Sequence, residues 1–109
     1  MKIVRWDRSA QRFSSEKLQK VGLFASDRFL LDLYCLEPGQ SQRPHTHPGS
    51  EKVYLVQEGV GRFRIGDEER SLGPGEAVRA APGELHGVTN ASEQRLVVLT
   101  LMAPPPEPA

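Results

Sequence analysis

The chain has 109 residues, enough for one domain with a single hydrophobic core, and its 14 Lys and Arg balance its 14 Asp and Glu. The balanced charge excludes a strongly basic nucleic-acid or membrane-surface binder, and the single cysteine, Cys35, excludes an internal disulfide. No apolar run approaches the ~20 residues of a membrane span, and the start of the chain lacks the apolar segment of a secretory signal. We therefore expect a cytoplasmic protein that binds neither nucleic acid nor membrane.

The first part of the chain, residues 1–26, is predicted to be an N-terminal arm in front of the main fold. Within it, SSEKLQKV (14–21) is the only helical candidate, with Ser14 or Ser15 as its N-cap. From residue 37 onward, Gly, Pro and Asn turn signals recur at intervals too short for a succession of helices. The charged run GDEER (66–70) is assigned to one of these turns. This punctuation predicts an all-β sandwich or barrel.

The segments between the turns are rich in residues that favour strands. The predicted strands are RFLLDLYCLE (28–37), KVYLV (52–56), VGRFRIG (60–66), EAVRAA (76–81) and RLVVLTLM (95–102). The first and the last are apolar on both faces, which indicates a sheet covered on both sides. Either an oligomer interface or the N-terminal segment would provide that cover, and we predict a homodimer. The barrel core spans 27–102 of a domain covering 1–106, followed by a Pro-rich tail, 103–109, whose prolines end the last strand.

Two of the three histidines lie in the stretch HTHPGSE (45–51), separated by one residue. In extended backbone, residues i and i+2 point to the same face, so a strand can aim both imidazoles at one point. His86 follows a turn 41 residues downstream of His45 and would complete three neutral nitrogen ligands, while Glu51 offers an oxygen. This donor set suits Fe, Mn, Ni, Zn or Cu, so we expect a divalent metal ion whose identity the ligands leave open. The alternative interpretation is a polar turn that carries two solvated imidazoles.

Two linked motifs in this region resemble those of the cupin superfamily. The first, G-x5-H-x-H-x3,4-E-x6-G, is matched from Gly39 to Gly59, and the second, G-x5-P-x-G-x2-H-x3-N, from Gly75 to Asn90. The resemblance extends over nearly the whole chain and implies a small single-domain cupin. Its fold would be an antiparallel double-stranded β-helix, a jelly-roll-like barrel with a metal pocket inside. The metal ligands implied by the resemblance are His45, His47, Glu51 and His86.

The match departs from the family pattern at two places. Ala81 stands where the second motif has its first proline, although Pro82 and Gly83 still supply the turn residues. Seven residues rather than six separate Glu51 from Gly59, so Lys52 also fits the carboxylate position. Strand alternation prevents both from facing inward. Either a bulge in the strand turns Glu51 towards the metal, or Lys52 points into the pocket. In the second case the lysine charge would weaken metal binding, and the pocket would take an anionic ligand or stay empty.

Three functions are compatible with these residues. The first is a cupin that binds a divalent metal through its histidines, with an unassigned activity towards a small molecule. The second is a metal-dependent enzyme, such as a dioxygenase, isomerase or decarboxylase, which would use open coordination positions on the metal. The third is a non-catalytic ligand-binding or vestigial cupin dimer. Other polar or aromatic residues are given structural roles: Tyr34 and Tyr54 in the core or an interface, and Gln42 in a surface loop.

Overall fold

The computed structural model describes residues 1–106, which form nine β-strands and one short 3-10 helix. The helix spans Arg8–Ala10, and the strands are β1 (Gln19–Ala25), β2 (Leu30–Leu36), β3 (Ser41–His45), β4 (Glu51–Glu58), β5 (Gly61–Ile65), β6 (Glu68–Leu72), β7 (Ala77–Ala80), β8 (His86–Thr89) and β9 (Leu96–Ala103). No helix in this part of the chain is long and apolar enough to cross a membrane.

The strands form two antiparallel sheets that face each other. One sheet has five strands in the order β1-β2-β9-β4-β7, and the other has four in the order β3-β8-β5-β6. From β2 to β9 the chain repeatedly crosses between the two sheets, as in a jelly roll. The all-β prediction and the five strands predicted from the sequence are therefore confirmed.

One turn glycine shows how tightly the strands are joined. Gly59, between β4 and β5, has φ of +77°, which side-chain-bearing residues rarely adopt. A Cβ at this position would also lie 2.2 Å from the Arg95 carbonyl oxygen. The position therefore requires glycine for two reasons, the backbone conformation and the close approach of the segment before β9.

Two apolar clusters account for the strands that are apolar on both faces. The main core lies between the sheets and comprises Tyr34, Leu36, Tyr54, Val56, Phe63, Val88, Leu96 and Val98. A second cluster, Leu23, Leu33, Cys35 and Val97, lies on the outer face of the five-stranded sheet. Val4, Ala10 and Phe13 of the N-terminal segment pack against this second cluster. The N-terminal segment therefore covers the outer face of these strands, which was one of the two alternatives. The homodimer stays a prediction.

The predicted helix over 14–21 is wrong. Residues 14–18 are not helical, and β1 begins at Gln19 and pairs with β2. The Ser14 hydroxyl does accept a hydrogen bond from the Glu16 amide, at 3.1 Å, but this closes a local turn rather than capping a helix. Helix propensity is a weak preference, and pairing with the edge of an apolar sheet overrides it.

Two further sequence assignments change at their boundaries. The run GDEER includes a turn only at its start, because Glu68–Leu72 forms β6 at the edge of the four-stranded sheet. Charged side chains suit such an edge, since they oppose pairing with other chains. The last strand ends at Ala103, where the Pro-rich tail was predicted to begin, and residues 107–109 of that tail lie outside the described residues.

Candidate metal centre

The register of β3 and β8 brings the three histidines together. His45, the last residue of β3, is the pairing partner of His86, the first residue of β8. The ring centroids of these two histidines are 4.4 Å apart, and that of His47 lies 4.7 Å from His45 and 5.5 Å from His86. One nitrogen of each ring lies within 4.8 Å of the others. Nitrogens bound to one ion at ~2.0–2.1 Å are at most about 4 Å apart, so small ring rotations would complete a shared site.

Gly87, next to His86 on β8, permits this close approach. A Cβ at Gly87 would lie 2.8 Å from the Gln42 carbonyl oxygen and 2.9 Å from the Pro44 nitrogen, both on β3. A side chain there would push β3 away from β8 and separate His45 from His86. The glycine therefore sets the distance between the two strands that carry the cluster.

Backbone carbonyls orient two of the three rings. His45 Nδ1 lies 2.8 Å from the Arg43 carbonyl oxygen, and His86 Nδ1 lies 3.0 Å from that of Glu84. A carbonyl only accepts, so each Nδ1 donates a proton and each neutral ring presents its Nε2 lone pair. His86 Nε2 is buried and has no hydrogen-bond partner among the described residues. Carbonyl-bound histidines with a free second nitrogen are typical of metal ligands.

The environment also favours the neutral, ligating form of imidazole. Burial lowers the pKa of His86 below its usual value and the charge of Lys52 acts in the same direction, while the hydrogen bond to the Glu84 carbonyl opposes the shift. Burial is likewise the main reason why the pKa of His47 is lowered. Both rings are therefore less readily protonated than a free histidine near neutral pH.

The structure places Glu51 outside the cluster and Lys52 inside the barrel. The Glu51 carboxylate lies on the outer face of β4, where it accepts hydrogen bonds from the exposed Arg79 guanidinium. Lys52 is only 3% exposed. β4 continues without a bulge from Glu51 to Val56, so alternation turns Lys52 inward and Glu51 outward. Glu51, predicted as the fourth ligand, is thus not brought to the histidines.

Lys52 belongs to a buried polar network on the inner face of the five-stranded sheet. Its Nζ donates to the Tyr34 hydroxyl at 2.6 Å, and Gln42 Nε2 donates to the same oxygen at 3.1 Å. The Tyr54 hydroxyl in turn donates to Gln42 Oε1 at 2.6 Å. Burial raises the pKa of Tyr34 to about 12, so this hydroxyl stays protonated at neutral pH. The same cause lowers the pKa of Lys52 to about 8, and the ammonium keeps its charge at pH 7.

A cavity of about 160 Å³ joins this network to His45 and His47. His45, His47, Lys52 and Asp32 all line it. Desolvation raises the pKa of Asp32 above its usual value, although Lys52 and Lys20 oppose that shift. The remaining walls include Tyr34, Gln42, Thr100, Leu30, Met102 and Pro106. His45 and His47 therefore open onto a small cavity that two lysines, Lys20 and Lys52, also line.

The sequence did not identify the polar side of this cavity. Gln42 was assigned to a surface loop, but it is buried on β3 and bonds to both tyrosines. Asp32 received no role, although it stands opposite Thr100 in the register of β2 and β9. The alternation of strand residues does contain this information, because residues two apart share a face. Tyr54 lies on the same face of its strand as Lys52, and Tyr34 on the same face as Asp32. That information is usable only once the inward face of each strand is known.

Comparisons with known proteins agree with the fold and the motifs. The family model of the cupin domain matches residues 32–102. TT1209 from Thermus thermophilus is 43% identical, with a TM-score of 0.91 over 94% of this chain and 98% of that one. An RmlC-like cupin protein from Desulfovibrio desulfuricans is 25% identical, with a TM-score of 0.84 over 96% and 99% of the two chains. A predicted oxalate decarboxylase from Thermotoga maritima, 22% identical with a TM-score of 0.76 over 81% of each chain, shares the fold. No curated protein matches the chain.

The chain therefore belongs to the cupin family. The family match runs from within β2 to within β9 and includes both histidine-bearing segments. Within that family, the described residues form one small barrel in which three histidines converge. Lys52, beside Glu51 at the start of β4, is buried in its interior.

Proposed function

We propose that the protein binds one divalent metal ion through His45, His47 and His86, and that the bound metal holds a small molecule in the adjoining cavity. The observation that carries the proposal is the buried Nε2 of His86, which has no hydrogen-bond partner within residues 1–106 although it lies in a cluster of three imidazoles. An unpaired buried polar atom costs about 1–3 kcal/mol, and a metal–nitrogen bond would remove that cost.

Three neutral nitrogens define what kind of metal site this would be. They would leave the full charge of a divalent ion uncompensated, and three protein ligands would leave further coordination positions for a small molecule. A metal in such a site supplies Lewis-acid chemistry or holds an oxygen ligand. Imidazole donors accept Fe, Mn, Ni, Zn and Cu, so the occupant depends on metal availability as well as on geometry.

A metal-dependent enzyme is the second candidate, and the polar side of the cavity favours it. Lys52 with a pKa of about 8 is a group that can exchange a proton near neutral pH, and the same cavity joins it to His45 and His47. Tyr34 and Gln42 fix the position of the amine. A dioxygenase, isomerase or decarboxylase would each use such an arrangement on a small substrate. Turnover that requires both the metal and Lys52 would separate this candidate from plain ligand binding.

Metal analysis of protein purified without a histidine tag tests the proposal. The chain has only three histidines, so every imidazole that can bind metal belongs to the cluster. We expect about one equivalent of metal per chain in the wild type, and a loss of most of it in His86→Ala, because two neutral nitrogens bind a divalent ion more weakly than three. Circular dichroism would verify that the variant is folded. Metal that persists at the wild-type level in His86→Ala would contradict the proposed site.

A further inference from the structure

We propose that Lys52 is an anion subsite, and that the small molecule bound beside the metal carries a carboxylate which pairs with the Lys52 ammonium. This inference rests on the proposed function, because it names the class of ligand that the metal cavity would take. Anions and metal would then bind cooperatively to one cavity.

The buried Lys52 ammonium makes no ion pair with a carboxylate among the described residues, and Asp32 of the same cavity acts on it only at longer range. Lysine is almost never fully buried unless it is paired. Within the described residues, none of the ion pairs includes Lys52, and the one hydrogen bond of its Nζ goes to a neutral hydroxyl, that of Tyr34. An ammonium has three N–H donors, so two remain for a ligand. A carboxylate with two oxygens matches that capacity.

The residues that line the cavity give it an excess of positive charge. Lys20 and Lys52 both line it, and Asp32 is the single carboxylate among its described lining residues. Each of the two ammonium groups lies over the Tyr34 ring, with Lys52 Nζ 4.7 Å and Lys20 Nζ 5.1 Å from its centroid. A divalent ion on three neutral histidines would add two further positive charges. The cavity then has an excess of positive charge that an anionic ligand would reduce.

The volume of the cavity limits the size of its ligand. Pockets for drug-sized ligands occupy roughly 300–1,000 Å³, whereas this cavity has about 160 Å³. It suits a molecule of a few heavy atoms. Leu30 and Met102 provide an apolar wall beside the polar groups, so a short organic acid fits this surface better than a fully hydrated inorganic ion.

Cooperativity between metal and anion follows from the shared cavity. Without an anion, the Lys52 ammonium and the metal repel each other. A carboxylate between them is attracted to both, so each ligand would raise the affinity for the other by the same factor. We expect about a tenfold effect, within the 5–150-fold range typical of coupled sites.

The experiment is a Co²⁺ titration of metal-free protein, followed by visible absorbance, in the presence of acetate or of acetamide. Acetamide has nearly the shape of acetate but no charge. We expect acetate, and not acetamide, to raise the Co²⁺ affinity of the wild type. In Lys52→Met and Lys52→Gln we expect tighter Co²⁺ binding without anion and a smaller gain from acetate than in the wild type. Lys17→Met, which removes an exposed lysine from the same chain, is the matched control and should behave like the wild type.

The possible outcomes distinguish failure of the Lys52 subsite from failure of the metal site. If the wild type binds Co²⁺ but acetate has no effect, or the same effect in Lys52→Met, the subsite is overturned and the metal proposal stands. If the wild type does not bind Co²⁺, the metal proposal fails. The subsite is then tested by broadening of the acetate methyl resonance in metal-free protein, which must occur in the wild type and be absent in Lys52→Met. Binding of inorganic phosphate with no binding of acetate would overturn the assignment of a carboxylate.

Discussion

Replacing Lys52 by methionine should stabilise the metal-free protein. The substitution removes a charge that is 3% exposed and leaves an unbranched apolar chain of similar length in the same space. Buried charged groups often lower stability relative to well-packed apolar residues, because desolvation of the charge is not fully compensated. Lys52→Met is therefore expected to raise the free energy of unfolding, whereas most substitutions in a protein core lower it.

The size of this gain follows from the lowered pKa of Lys52. Burial shifts it from 10.5 to about 8, and each pKa unit corresponds to about 1.4 kcal/mol, so burial of the charge costs roughly 3 kcal/mol. The methionine loses the hydrogen bond to Tyr34 but buries its own apolar surface, and we expect a net gain of about 1–2 kcal/mol in the free energy of unfolding. For a domain of this size that corresponds to roughly 5–10 °C in Tm.

The pH dependence of the stability difference distinguishes removal of the buried Lys52 charge from a general improvement in packing. Below about pH 8 both the folded and the unfolded chain hold the proton on Lys52, so the cost of the buried charge is constant. Between about 8 and 10.5 the unfolded chain holds more protons, and the stability of the wild type rises with pH relative to the variant. The advantage of Lys52→Met should therefore be largest at pH 7 and shrink towards pH 10.5.

Urea unfolding of both proteins in chelator, at several pH values, provides the measurement, with Lys17→Met as the control for loss of an exposed charge. The reasoning would be refuted by a Lys52→Met protein that is less stable than the wild type. A difference in stability that does not change between pH 7 and 10.5 would also refute it, because the ammonium would then not be buried.

Two further predictions concern the outer face and a turn. Glu51→Gln should leave metal content and Co²⁺ affinity unchanged, because Glu51 pairs with Arg79 on the surface, and exposed pairs contribute little to stability; a clear loss of metal would show that Glu51 is a ligand. Gly59→Ala should lower the free energy of unfolding by more than about 3 kcal/mol in urea titrations, because it combines a strained φ with a clash against the Arg95 carbonyl. Gly75→Ala, which has φ of +87° but no neighbour within 4 Å, should cost less, and equal costs would contradict the role of the clash.

The metal motif was accessible to sequence reasoning because its geometry is local. Two histidines one residue apart share a face in any extended segment, and the turn residues before His86 mark the start of its strand. The close approach of His45 and His86 was not accessible in the same way, because it depends on the register of β3 against β8 and on the missing side chain of Gly87. The family motifs predicted that convergence without supplying its physical cause.

The sequence by itself determined the all-β class, most of the strands and the three histidines. These features follow from the period of apolar residues and from turn chemistry, which act over a few residues. Tertiary structure alone decided that SSEKLQKV contributes to an edge strand, that the N-terminal segment covers the outer face of the five-stranded sheet, and that Lys52 rather than Glu51 faces the barrel interior. Val53 to Val56 are apolar on both faces, so no local pattern distinguishes inside from outside on β4. Only the pairing of β4 with β9 and β7 decides which of Glu51 and Lys52 faces the interior. That orientation also places the lysine charge in the cavity beside the histidines.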